Sequence, residues 1–157
     1  MRKLFLVRHG EAVSGSENPD PPLSKDGENE VKKIAVFLAR GRIGVTRIIH
    51  SDKARARETA RHIVNTLGPD PSVEVAPSGL APNDSTALVM EAIGQWTDNV
   101  MLVGHLPFLG RLASLLVLGA EDKPVVTFDP GTVVALNLLD DGRWVIDWVL
   151  KPRMLGA

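Results

Sequence analysis

The chain has no cysteine, which excludes disulfide staples and thiolate metal sites and permits a reducing compartment. It also lacks a surplus of either charge: 18 Lys and Arg stand against 19 Asp and Glu, a formal net charge of −1. A nucleic-acid or membrane-surface protein carries a basic footprint, so neither kind of partner is expected, and any basic character must be local. No apolar run approaches the length of a bilayer span. The run after Arg2 and Lys3 stops at Arg8, too short for a signal-peptide core, and a cytoplasmic setting is expected. There is no Gly-x-x-x-x-Gly-Lys loop and no Gly-x-Gly-x-x-Gly after a strand, which removes the common nucleotide-binding readings. His and carboxylates do not gather at ligand spacing either, so no metal and no cofactor is expected.

What remains is ordinary globular material, 157 residues with 44% hydrophobic and 24% charged, enough for one domain over residues 1–157 with a single core. Apolar strands alternate with helical patterns. Leu4–Val7, Arg47–His50 and Asn99–Val103 read as strands. Val31, Ile34, Ala35 and Leu38 form a helical stripe that starts at Ser24 or Asp26 and ends near Gly41. Ala60, Ile63, Val64 and Leu67 form a second stripe, stopped by Gly68-Pro69, and Leu109, Leu112, Ala113 and Leu116 a fourth, stopped by Gly119. Between them, Ser72–Val75 suggests a short strand, and a third helix is expected from Asp84 or Ser85 with Leu88, Val89, Ala92 and Ile93. Val125–Phe128 and Thr132–Leu138 read as strands, the second joined through Asp140-Asp141-Gly142 to a last strand, Arg143–Leu150. In that last strand, alternation puts Trp144, Ile146 and Trp148 on one face. This order implies an α/β fold, a three-layer sandwich with a mostly parallel sheet flanked by helices, whose ligands bind beyond the carboxyl ends of the strands.

Three such strand ends carry chemistry. The first strand runs into Arg8-His9-Gly10-Glu11. Arginine offers a fork of donors matched to phosphate oxygens, histidine can attack phosphorus and release it, and glycine permits close backbone approach. The second runs into Ser51-Asp52-Lys53-Ala54-Arg55, where Ser51 or Asp52 is expected to cap a helix and Arg55 adds its charge to the helix N-terminus. The third ends in Gly104-His105, ahead of another helix. Between the first strand and the first helix, Val13–Pro22 is rich in Ser, Gly, Asn and Pro and reads as a loop beside the site. His50 and His62 are taken as structural or surface residues.

Taken together, Arg8-His9-Gly10, Ser51-x-x-x-Arg55 and Gly104-His105 resemble the signature of the histidine phosphatase superfamily, the phosphoglycerate-mutase-like fold. The short length, with Pro22-Leu23-Ser24-Lys25-Asp26-Gly27, Leu80-Ala81-Pro82-Asn83-Asp84 and Gly104-His105-Leu106-Pro107, is similar to the SixA-type phosphohistidine phosphatases within it. The resemblance implies His9 as nucleophile, Arg8, Arg55 and His105 as phosphate ligands, and a hydrolase passing through a covalent phosphohistidine. Many members of the superfamily place a carboxylic acid before the third helix to protonate an alkoxide. Here that stretch offers Asp84, which can equally cap a helix, and Glu11 is a second candidate donor. An imidazole leaving group, whose conjugate acid has a pKa of about 6.5, needs such help far less than an alkoxide does. The expected substrate is therefore a phosphohistidine, protein-borne on a partner, with a small-molecule phosphomonoesterase as the alternative. A noncatalytic phosphate-binding or partner-docking module is the reading from another class, and it leaves the nucleophile without a purpose.

Overall fold

The computed structural model describes residues 2–15, 17–76 and 78–156. The first strand, β1 (Lys3–Arg8), is an unbroken apolar run because both its faces are covered: Phe5 and Val7 point into one core cluster, Leu4 and Leu6 into another. Ser24 then starts α1 (Lys25–Arg40), accepting the Gly27 N–H at its hydroxyl, with Asp26 and Glu28 in the first turn where the helix dipole favours them. The chain continues through β2 (Arg47–Ser51), α2 (Ala54–Leu67), β3 (Ser72–Ala76), α3 (Ala87–Gln95), β4 (Val100–Gly104), α4 (Phe108–Leu118), β5 (Val133–Leu138) and β6 (Trp144–Leu150), closing with a 3₁₀ turn at Pro152–Leu155.

All six strands form one sheet in the order β3-β2-β4-β1-β5-β6. The first four are parallel, while β5 and β6 join as an antiparallel hairpin. Side chains of α1 and α2 pack on one face with Phe5, Ile48 and Met101; those of α3 and α4 pack on the other with Leu6, Val100 and Leu102. This is the expected three-layer α/β sandwich. No helix among the described residues is long and apolar enough to cross a membrane.

Register places the strand ends that matter. Arg8 pairs with Gly104, and Val103 pairs with both Val7 and His50, so Arg8, Gly104 and Ser51 end three adjacent strands at one level. His9 and His105 each stand one residue beyond that row.

Four expectations change. Val125–Phe128 forms no strand, because the open edge of β1 is already taken by β5, and the Phe128 carbonyl is turned to the Arg8 side chain instead. Trp148 does not share a face with Trp144 and Ile146. A bulge between the pairs Ala135–Trp148 and Leu136–Ile146 inserts Asp147, so Trp148 crosses to the cluster containing Phe5. The third helix begins at Ala87 rather than Asp84 or Ser85, and its Leu88 is exposed. Finally, neither Ser51 nor Asp52 caps α2. Lys53 occupies the cap position without a side-chain bond, and Asp20, from the stretch between β1 and α1, accepts the Ala54 N–H.

Candidate active site

The turn after β1 is shaped by what lies beneath it. A Cβ on Gly10 would stand 2.6 Å from Val31 Cγ2, and one on Gly27 would collide with the Glu11 backbone. Glycine at both positions lets the start of α1 press against the turn. Close approach at Gly10 thus serves the fold under the site. The turn is further tied by the Gly10 N–H to Thr59 Oγ1 at 3.0 Å, while the Thr59 hydroxyl donates to the Arg55 carbonyl at 2.8 Å. Thr59 locks α2 to the turn, a part the sequence reading did not assign. Its spacing four residues after Arg55, facing inward, was the available signal.

His9 is buried, and its backbone N–H donates to Gly104 O at 3.0 Å. Its ring Nδ1 lies 2.7 Å from the Gly10 carbonyl oxygen. A carbonyl can only accept, so Nδ1 carries the proton and Nε2 keeps its lone pair. Arg55 Nε donates to that Nε2 at 3.3 Å. Burial holds the His9 pKa down at about 4; the Gly10 carbonyl opposes this and the guanidinium groups of Arg55 and Arg8 add to it. The ring is neutral at neutral pH.

Arg8 donates from Nη1 to Phe128 O at 2.8 Å, while its buried Nε has no partner among the described residues. Burial lowers its pKa, offset by Asp129; as an arginine it stays charged. His105 is buried with its ring 5.0 Å from that of His9, centroid to centroid. Its Nε2 lies 2.8 Å from Ser51 Oγ, and its Nδ1 has no partner among the described residues. Burial, then His9, Arg55, Lys53 and Arg8, push its pKa down to about 3. The buried Arg8 Nε–H lacks a partner among the described residues, and Arg8 and Arg55 act on both histidines, so an anion at this cluster restores a missing hydrogen bond and meets positive charge.

The four expected residues Arg8, His9, Arg55 and His105 therefore meet at one sheet edge. Ser51, expected as a cap, joins them through His105. The candidate acids behave differently. Glu11 accepts the Ser24 hydroxyl at 2.9 Å, and Asp84 Oδ2 accepts the Gly79 and Ala81 N–H groups at 2.9 and 3.0 Å. Asp84 braces its own loop rather than capping α3, although it borders a cavity of about 290 Å³ that Ser51 and Lys53 also line. His50 is buried with Nδ1 2.8 Å from Ser51 O, a structural contact. The two ends of the Val13–Pro22 stretch are tied together: Val13 N–H donates to Pro22 O, and Ala12 bridges Leu23.

Residues 4–78 match the family described as the histidine phosphatase superfamily (branch 1). The chain is 26% identical over 155 residues to the phosphohistidine phosphatase SixA of Escherichia coli K12, covering 96% of this chain and 94% of that one. It is 33% identical over 125 residues to an uncharacterized protein of Picosynechococcus sp., covering 74% of each. Among solved structures, a protein histidine phosphatase SixA complexed with tungstate superposes with a TM-score of 0.86 at 25% identity, over 98% of this chain and 99% of that one. On fold, motif and sequence alike, the chain belongs to the histidine phosphatase superfamily.

Proposed function

We propose that the protein is a phosphatase that hydrolyses phosphohistidine, borne on a partner protein, through a covalent intermediate on His9. The observation that carries this is the His9 ring: its Nδ1 proton is committed to Gly10 O, so a neutral Nε2 faces the cationic cluster. In the first step Nε2 forms a bond to phosphorus as the P–N bond of the substrate breaks in line. With its second ring nitrogen protonated, the departing group is a neutral imidazole, whose conjugate acid has a pKa of about 6.5, and no strong acid is needed.

The same logic covers the second step. Phosphorylated at Nε2 and still protonated at Nδ1, His9 is a ring cation held by Gly10 O; water attacks phosphorus, His9 leaves as neutral imidazole, and the water's proton passes to phosphate or solvent. Arg8, Arg55 and His105 are preorganised donors for the three phosphoryl oxygens through both steps. Charge stabilisation comes from these side chains, so chelation by EDTA is expected to leave activity unchanged. The likeness to SixA supports the substrate class and, more coarsely, a phosphorylated protein as the partner. The reading places the reaction in the cytoplasm; recovery of the protein from membranes or the cell exterior on fractionation contradicts that.

One observation favours the phosphomonoesterase alternative: Asp84 shares a cavity with Ser51 and Lys53. Against it, the carboxylate is held by two backbone donors. The deciding experiment compares kcat/KM for a phosphohistidine protein, a phosphohistidine peptide and simple alkyl phosphates. Fast phosphohistidine turnover with nearly inert alkyl phosphates is expected. Efficient alkyl phosphate hydrolysis that is lost on Asp84→Asn assigns Asp84 as the acid and overturns the reading.

A further inference from the structure

Ser51 ends β2 and is 2% exposed. Its Oγ accepts the Lys53 N–H at 3.3 Å and lies 2.8 Å from His105 Nε2. A hydroxyl carries one proton and two lone pairs, and burial makes an unplaced proton costly. Among the described residues, His105 Nε2 is the one acceptor within reach of the Ser51 hydroxyl. If Ser51 donates, Nε2 is a bare acceptor and the neutral ring holds its proton on Nδ1. If His105 donates instead, the Ser51 proton is stranded and Nδ1 becomes a buried lone pair without a partner. Beside an anion, such a lone pair repels where an N–H would bind.

We propose that Ser51 is a positioning residue for phosphoryl transfer: by donating its hydroxyl proton to His105 Nε2 it holds the neutral ring in the tautomer whose Nδ1–H binds a phosphoryl oxygen. The inference rests on His105 being a phosphate ligand. One tautomer then serves two opposite purposes. His9, fixed by the Gly10 carbonyl, offers a lone pair at Nε2; His105, fixed by the Ser51 hydroxyl, offers a proton at Nδ1.

The surroundings make this choice matter. The groups acting on His105 are His9 and Arg8 at the end of β1, and Lys53 and Arg55 at the start of α2, all cationic or neutral. They hold the unliganded ring neutral far below neutral pH, so imidazolium is not available to supply the donor before an anion arrives.

The test is ¹⁵N NMR of histidine-labelled native protein at pH 7, with titration of inorganic phosphate. His105 is expected to be protonated at Nδ1 and bare at Nε2. Ser51→Ala shifts the proton toward Nε2 and weakens phosphate binding about tenfold, the worth of one hydrogen bond to a charged group. Ser51→Thr, which keeps the hydroxyl, preserves the native tautomer. Native His105 protonated at Nε2 overturns the inference without any variant, as does a Ser51→Ala protein that retains the Nδ1–H form and native affinity. His105→Ala with undiminished phosphate binding removes instead the ligand role on which the inference rests, whatever the tautomer.

Discussion

The floor of the site and its rim use charge in opposite ways. On the floor, Arg8 and Arg55 form no ion pair with any described carboxylate, and the buried Nε of Arg8 and Nδ1 of His105 have no described partner. On the rim, the carboxylates are committed to construction. Glu11 takes the Ser24 hydroxyl, Asp20 the Ala54 N–H, Glu58 the Leu23 N–H, and Asp84 two N–H groups of its own loop. The cations are left facing a ligand while the acids hold the loops that surround it. This division suits a substrate that brings negative charge and a leaving group that asks for little proton donation.

Breaking the floor is expected to have the largest effect. His9→Ala should abolish turnover, read as kcat/KM at background, since both steps pass through the His9 Nε2 lone pair. Arg8→Ala and Arg55→Ala should each lower kcat/KM by about 10²-fold or more, as removal of one preorganised donor does. A near-native rate for either variant removes that arginine from the site.

Disturbing what supports the floor comes next. Gly27→Ala forces a Cβ into the Glu11 backbone and must push α1 off the turn, costing about 2–3 kcal/mol in denaturant unfolding. Native stability in this variant would show that the close approach of α1 is not a constraint on the turn.

Titration tests the floor directly. The His9 and His105 pKa values are depressed to about 4 and about 3 in the fold, against about 6.5 when unfolded. Below pH 6.5 the unfolded chain therefore binds protons that the folded protein refuses. Stability is complete above that pH and is lost as pH falls, with the His9 contribution exhausted by about pH 4. Catalysis by the free enzyme should keep a neutral nucleophile down to nearly pH 4, so a kcat/KM limb centred near 6.5 and assigned to His9 contradicts the buried-neutral picture.

The smallest effect is expected at the rim: Asp84→Asn should change phosphohistidine hydrolysis less than about threefold, while losing about 1 kcal/mol of stability as charge-assisted bonds to Gly79 and Ala81 weaken.

Much of the floor was legible in the sequence because local patterns and strand grammar act there together. The α1 stripe of Val31, Ile34, Ala35 and Leu38 is buried as its period requires, Ser24 caps as its position suggests, and Arg8, His9, Arg55 and His105 reach one edge because parallel strands deliver their ends to one side. The misreadings arise where tertiary partners outbid local preference. Ser51 has the chemistry of a cap, but its hydroxyl is engaged by His105. Val125–Phe128 has strand composition, but β5 takes the place beside β1 and the Phe128 carbonyl accepts from the Arg8 side chain instead. Trp148 follows alternation until the bulge at Asp147 reverses it, and nothing local announces that extra residue. Thr59 looks like an ordinary helix residue until Gly10 is placed against it.

The most direct test of the account is a rapid quench of the native enzyme during turnover of labelled phosphohistidine protein, followed by mapping of the retained phosphoryl group. The expected result is an acid-labile, base-stable label on His9, attached at Nε2 because Nδ1 is held by Gly10 O. A label on serine or aspartate, or on His105, contradicts it.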